Sequence, residues 1–93
     1  MAKVIKIRGS EDIYYLGRKF GLPAYIIAKA NGIENIRQGM RILIPEMRGE
    51  AYIVKPYETL ESIAMDYEMN PAKLSANNYG ITEVYLGQLI YIP

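Results

Sequence analysis

The second half of this sequence repeats the first, and that repeat constrains the fold more than any other feature. Written beneath itself with a shift of 47, the chain sets Ile7 and Arg8 over Val54 and Lys55, Glu11 over Glu58, Ile13 over Leu60, Leu16 over Ile63, Phe20 over Tyr67 and Ile27 over Leu74. One extra residue around Asn77 to Tyr79 moves the shift to 48. Gly32 and Ile33 then meet Gly80 and Ile81, Ile36 meets Val84, Gly39 meets Gly87, and Ile42, Ile44 and Pro45 meet Ile90, Ile92 and Pro93. A register held for that distance marks a duplicated unit of roughly 45 residues.

Each copy reads as strand, helix, helix, strand. Polar and apolar residues alternate over about Lys3 to Arg8 and about Ala51 to Lys55, as half-buried strands require, and Pro56 ends the second of these. A helix follows, about Ile13 to Phe20 and about Leu60 to Tyr67, with its apolar residues on one face. Asp12 and Thr59 precede these helices and can accept an orphan amide of the first turn. Gly21 can close the first helix in the left-handed conformation, a role that falls to Glu68 in the second copy. A second helix spans about Ala24 to Ala30 and about Pro71 to Ala76, with Asn70 and Pro71 as cap and first-turn proline. Closing strands run about Arg41 to Ile44 and about Leu89 to Ile92. The expectation is an α+β chain of two tandem βααβ modules, each with two helices on one face of a two-stranded antiparallel sheet. Residues 1–46 and 51–93 form the modules and 47–50 a short linker.

Composition narrows the chemistry. There is no cysteine and no histidine, which removes disulfides, thiolate metal sites and imidazole catalysis, so each small unit must be held by apolar packing, supplied by the 51% of residues that are hydrophobic. No cofactor or metal is expected. The N-terminal alternation reads as a strand and not as a signal peptide, and no apolar run is long enough for membrane insertion. Charge is uneven: residues 1–48 carry nine Lys and Arg against four Asp and Glu, and residues 49–93 carry two against six. The halves attract each other, within a chain or between chains, or only the first favours an anionic partner, or both are simply solvated faces.

The second copy resembles the LysM family in Tyr52-Ile53-Val54-Lys55-Pro56, Glu58-Thr59-Leu60, Ser62-Ile63-Ala64, Tyr67, Asn70, Leu74, Ala76-Asn77 and Leu86-Gly87-Gln88 through Ile90, Ile92 and Pro93. The first copy is more divergent, keeping Leu16, Phe20-Gly21-Leu22, Ala30-Asn31-Gly32-Ile33, Gly39, Ile42 and Ile44-Pro45. The resemblance implies non-catalytic binding of N-acetylglucosamine-containing glycans, peptidoglycan or chitin-like oligosaccharides, in a shallow groove between the loop after the first strand and the loop before the last. Carried over by position, Gly9 to Asp12 face Gly32 to Ile36, with Gly9, Ser10, Glu11, Asp12, Gly32, Ile33 and Glu34 as site residues, and Pro56 to Thr59 face Gly80 to Val84, with Pro56, Tyr57, Glu58, Thr59, Gly80, Ile81 and Thr82. Ile33 and Ile81 are expected against the sugar or, alternatively, at the end of the core. The family usually has Gly-Asp-Thr-Leu where this chain has Ser10-Glu11-Asp12-Ile13 and Tyr57-Glu58-Thr59-Leu60. Tyr57 in the glycine position would narrow the groove, add a stacking surface, or mark a module turned to protein binding.

Other readings are weaker. Glu11 with Asp12, and Glu58 with Glu61, suggest a glycosidase pair, but units this small cannot bury and separate an acid from a base. The cations Lys3, Lys6, Arg8, Arg18, Lys19, Arg37 and Arg41 lie on every element without interleaved aromatics, so no nucleic-acid partner is expected. The alternative function is structural, a spore-coat or phage-tail type of assembly protein using the modules for protein docking or self-association through the opposite-sign halves. Either role places the chain at a cell wall or spore surface, by a route that the chain does not encode, with cytoplasmic synthesis and later assembly as one option.

Overall fold

The computed structural model describes residues 2–93, and its contacts divide the chain into two compact units, 1–46 and 47–93. The first contains β1 (Lys3–Lys6), α1 (Ile13–Phe20), α2 (Ala24–Asn31) and β2 (Arg41–Ile44); the second contains β3 (Glu50–Ile53), α3 (Leu60–Asp66), α4 (Pro71–Asn77) and β4 (Leu89–Ile92). In each unit the first and last strands pair antiparallel, with Lys3 opposite Ile44 and Lys6 opposite Arg41, and Glu50 opposite Ile92 and Ile53 opposite Leu89. These are the two βααβ modules that the repeat implies.

The helices start and stop where local chemistry directs. Asp12 accepts the amide of Tyr15 at 2.8 Å, and Asn70 accepts that of Ala72 at 2.8 Å ahead of Pro71. Thr59 and Ser62 form a reciprocal box, each side chain accepting the other's amide, at 2.9 and 3.0 Å. Gly21 and Gly32 close α1 and α2 with φ of 68° and 62°. Their counterparts in the second unit are Glu68 and Tyr79, at 53° and 61°. A side chain in this region costs on the order of 1–2 kcal/mol, so the second unit carries strain that the first avoids.

The strands are shorter than their alternation suggests because their pairing continues onto a turn. Ile7 donates to the Met40 carbonyl and accepts from the Gly39 amide, both at 2.8 Å; Val54 does the same with Gln88 and Gly87, at 2.9 and 2.8 Å. Both residues are buried, so the apolar pattern runs beyond the regular ladder. Ile7, Leu16, Ile27, Ile42 and Ile44 make the first core. Val54, Leu60, Ile63, Ala64, Leu74, Ile81, Ile90 and Ile92 are buried in the second.

An asparagine ties helix to sheet in each unit. Asn31 donates to the carbonyls of Ile27 and Leu43 and accepts the Leu43 amide, at 2.8–2.9 Å. Asn78 repeats the pattern with Leu74 and Tyr91 at 2.8–2.9 Å and is 0% exposed. The shift of 47 thus holds through Asn78 and Tyr79, and hydrogen bonding puts the extra residue at Gly80, whose amide takes the place of Ile33's.

Gly17 marks a close approach of α1 to the start of α2. A methyl built there lies 2.6 Å from the Leu22 carbonyl oxygen. The equivalent residue, Ala64, is buried with a methyl in place, so the backbone can yield. Overpacking of about 1–3 kcal/mol is partly offset by the roughly 1 kcal/mol that alanine gains over glycine in a helix. Gly17→Ala should therefore destabilise the first unit by about 1 kcal/mol, read by denaturant unfolding. Unchanged or raised stability would show that the approach is not tight.

Candidate functional site

The turn after β3 is built by its own side chains. Glu58 donates its amide to the Lys55 carbonyl at 3.3 Å, and Pro56 and Tyr57 occupy the corners, Tyr57 with φ 68°. This is a type II turn in which proline suits the first corner and glycine is the usual occupant of the second. The Glu58 carboxylate holds the turn to the sheet by accepting the Lys55 amide at 2.7 Å and the Tyr52 hydroxyl at 2.7 and 2.8 Å. The Tyr57 ring is left free, at 102% exposure.

The opposing loop is pinned as firmly. Ser75 donates to the Ile81 carbonyl at 2.6 Å, the Gln88 side chain accepts the Tyr85 amide at 2.8 Å, and the Tyr85 hydroxyl donates to Glu83 at 2.5 Å. Between the two loops lies an open depression of about 230 Å³ lined by Glu58, Thr59, Leu60, Glu61, Thr82, Glu83 and Val84. The structure therefore brings Glu58, Thr59 and Thr82 together across one groove. Pro56, Tyr57, Gly80 and Ile81 are not on its wall. Ile81 is 3% exposed, and its side chain belongs to the core.

In the first unit the corresponding turn differs. Glu11 accepts the Gly9 amide at 2.7 Å, and Ser10 does not adopt the left-handed conformation. A depression of about 450 Å³ is lined by Ser10, Glu11, Asp12, Tyr15 and Arg18, so its second wall is helix α1. Gly9, Gly32, Ile33 and Glu34 are not on that wall, and Ile33 packs against the first core. Leu60 is a groove residue that sequence reasoning did not single out; Glu61 entered it only as half of a carboxylate pair, and Glu83 and Val84 only as part of the loop from Gly80 to Val84.

Hydrogen bonding sets the ionisation of these groups. The Tyr52 hydroxyl, and then the Lys55 amide, hold the Glu58 carboxyl below its ordinary 4.5, while the Glu58 hydrogen bond pushes the Tyr52 phenol up to about 12. Glu11 is also lowered, chiefly by its own amide and then that of Gly9. Because Glu58 is lowered in the folded state, its stabilising contribution is present above 4.5 and is lost as pH falls through the folded value. Tyr52, being raised, contributes below about 10 and loses that contribution as pH rises through about 12. Tyr52→Phe should shift the acid titration of the Lys55 amide resonance upward, toward 4.5. An unshifted titration would show that the phenol does not hold the carboxylate.

The architecture defines a tandem of small βααβ repeat modules, with a loop-lined groove in the second. The chain belongs to the LysM domain family, whose model matches residues 6–45 and again 52–93. Members of this family generally bind N-acetylglucosamine-containing glycans and are binding modules, not catalysts. Similar solved structures include the spore cortex-lytic enzyme SleL of Bacillus cereus, 26% identical with a TM-score of 0.45, and SleL of Bacillus megaterium QM B1551, 26% identical with a TM-score of 0.46. Each match covers 99% of this chain and 22% of the enzyme, so the chain spans about a fifth of their length. No curated protein matches the chain significantly. No helix among the described residues is long and apolar enough to cross a membrane.

Proposed function

We propose that the chain binds peptidoglycan or a chitin-like oligosaccharide without cleaving it, with the second module as the principal site. The observation that carries this reading is the groove between the two loops in a chain that matches the family twice. Its wall suits an N-acetyl sugar. Thr59, Thr82 and the carboxylates can bond hydroxyl and amide groups, and Val84 offers an apolar surface for the acetyl methyl. The groove is open, so a polymer can lie along it. The two modules, 1–46 and 47–93, then act in tandem. The first has a one-sided depression and contributes weakly, yet a linked weak site raises overall affinity when one polymer reaches both. The excess of cations in the first half adds salt-sensitive attraction to anionic wall polymers. The natural setting is a cell wall or spore surface.

A hydrolase is disfavoured on chemistry. A general acid is kept protonated by burial, whereas Glu58, Glu61 and Glu83 line an open groove and Glu11 and Asp12 an open depression.

Retention on purified insoluble peptidoglycan and on chitin tests the reading. N-acetylglucosamine oligomers should perturb the amide resonances of Thr59, Thr82 and Val84, and Thr82→Arg, which fills the groove from an exposed position, should weaken binding about tenfold or more. A folded protein that neither binds at low salt nor shows these perturbations would overturn it.

A further inference from the structure

Both sheets end in the same pair of turns, and the two ends carry opposite chemistry. The hydrogen bonds of Ile7 to Gly39 and Met40 set residues 8–11 beside 37–40; those of Val54 to Gly87 and Gln88 set residues 55–58 beside 85–88. At matching positions the first unit exposes Arg8, Ser10, Arg37 and Gln38, and the second exposes Lys55, Tyr57, Tyr85 and Leu86. The Lys55 ammonium lies 5.7 Å from the Tyr52 ring centre, so it is directed at its own module. Glu61 and Glu83, on the adjoining groove, occupy the positions of Tyr14 and Asn35 in the first unit. One end is thus polar and cationic, and the other is aromatic with carboxylates beside it.

We propose that these ends are partners between copies: the Arg8 and Arg37 end of one chain docks on the Tyr57, Tyr85 and Leu86 end of a second. Guanidinium groups stack on phenol rings and pair with carboxylates, which is why arginine and tyrosine are enriched where protein surfaces meet. Tyr57 supports the assignment independently. It holds a left-handed backbone that a glycine would adopt at lower cost, and its ring, at 102% exposure, returns nothing to its own module. Tyr85 and Leu86, at 66% and 71%, extend the same uncovered surface. The contact is heterologous, so copies add head to tail.

Sedimentation of the full chain over a wide concentration range tests this. At low salt the average mass should rise with concentration above that of the monomer, and it should fall toward the monomer at high salt. Arg37→Glu should weaken association about tenfold or more, and so should Leu86→Gln, which installs the first unit's residue without touching a strained position. Tyr57→Ser is a third variant, with amide spectra confirming that each remains folded. Mixing Arg37→Glu with Leu86→Gln should restore a one-to-one pair that does not grow, because each supplies the surface that the other lacks. A monomer at all concentrations, or association indifferent to Arg37→Glu, overturns the proposal. So does a non-associating protein whose Tyr57 and Tyr85 respond only to sugar oligomers.

Discussion

Replacing Asn78 with alanine should unfold the second module while the first keeps its dispersed amide signals. Asn78 is fully buried, and its side chain is the acceptor for the Tyr91 amide and a donor to the Leu74 carbonyl. The Tyr91 carbonyl would keep a second donor, the Asn77 amide at 3.0 Å, so two buried groups are orphaned and not three. Each costs about 1–3 kcal/mol, or about 2–4 kcal/mol together when they relax partly toward water. A module of roughly 45 residues without disulfides has only about 2–7 kcal/mol to lose. Asn31→Ala should be milder because Asn31 is half-buried and water can replace its bonds. Two-dimensional amide spectra of the variant check this, and native-like signals from residues 60–92 would contradict it.

Gly49→Ala has the second-largest expected effect. Its φ is 96°, and an added methyl would lie 2.0 Å from the Ile92 carbonyl oxygen and 2.6 Å from the carbonyl carbon. The clash is with backbone, so no side chain can swing away. The expected response is that the chain before β3 lifts from β4, breaking the Glu50 and Ile92 pair and the bond from Asn77 to the Arg48 carbonyl. Strain of this kind costs roughly 1–3 kcal/mol, the larger figure if the strand cannot peel locally. Hydrogen exchange should show loss of protection spreading from Glu50 and Ile92, with the core of the first unit unchanged. Full protection at both positions would mean that the contact is not tight.

Where a residue type dictates its own geometry, the sequence was legible. Asp12, Gly21, Thr59, Asn70 and Pro71 mark helix ends by what their side chains or ring can do locally, and α1 has the bounds those signals imply, as β2 and β4 have those read from the closing-strand pattern. Two features needed three dimensions. Asn77 and Asn78 are chemically identical neighbours, and only the turn of α4 decides that Asn78 points inward and clamps Tyr91. Ile33 and Ile81 sit in loops where a place against a ligand and a place at the end of the core are equally open to an isoleucine, and each packs into its core. A depression lies between the two loops of the second unit, and Glu61 reaches its wall only because α3 starts there, beside Glu58 and Glu83 of the loops.

The pairing of first strand with last also governs how such a unit comes into being. β1 finds its partner only at Arg41–Ile44, and β3 only at Leu89–Ile92. On a ribosome, the early strand and both helices would emerge with no sheet to join, and zipping must await the final few residues. Closing a loop of that length carries an entropy penalty that is met before the ladder forms. Each repeat therefore behaves as a clasp, open until its far end arrives, and a chain cut before Leu89 would leave the second clasp unfastened.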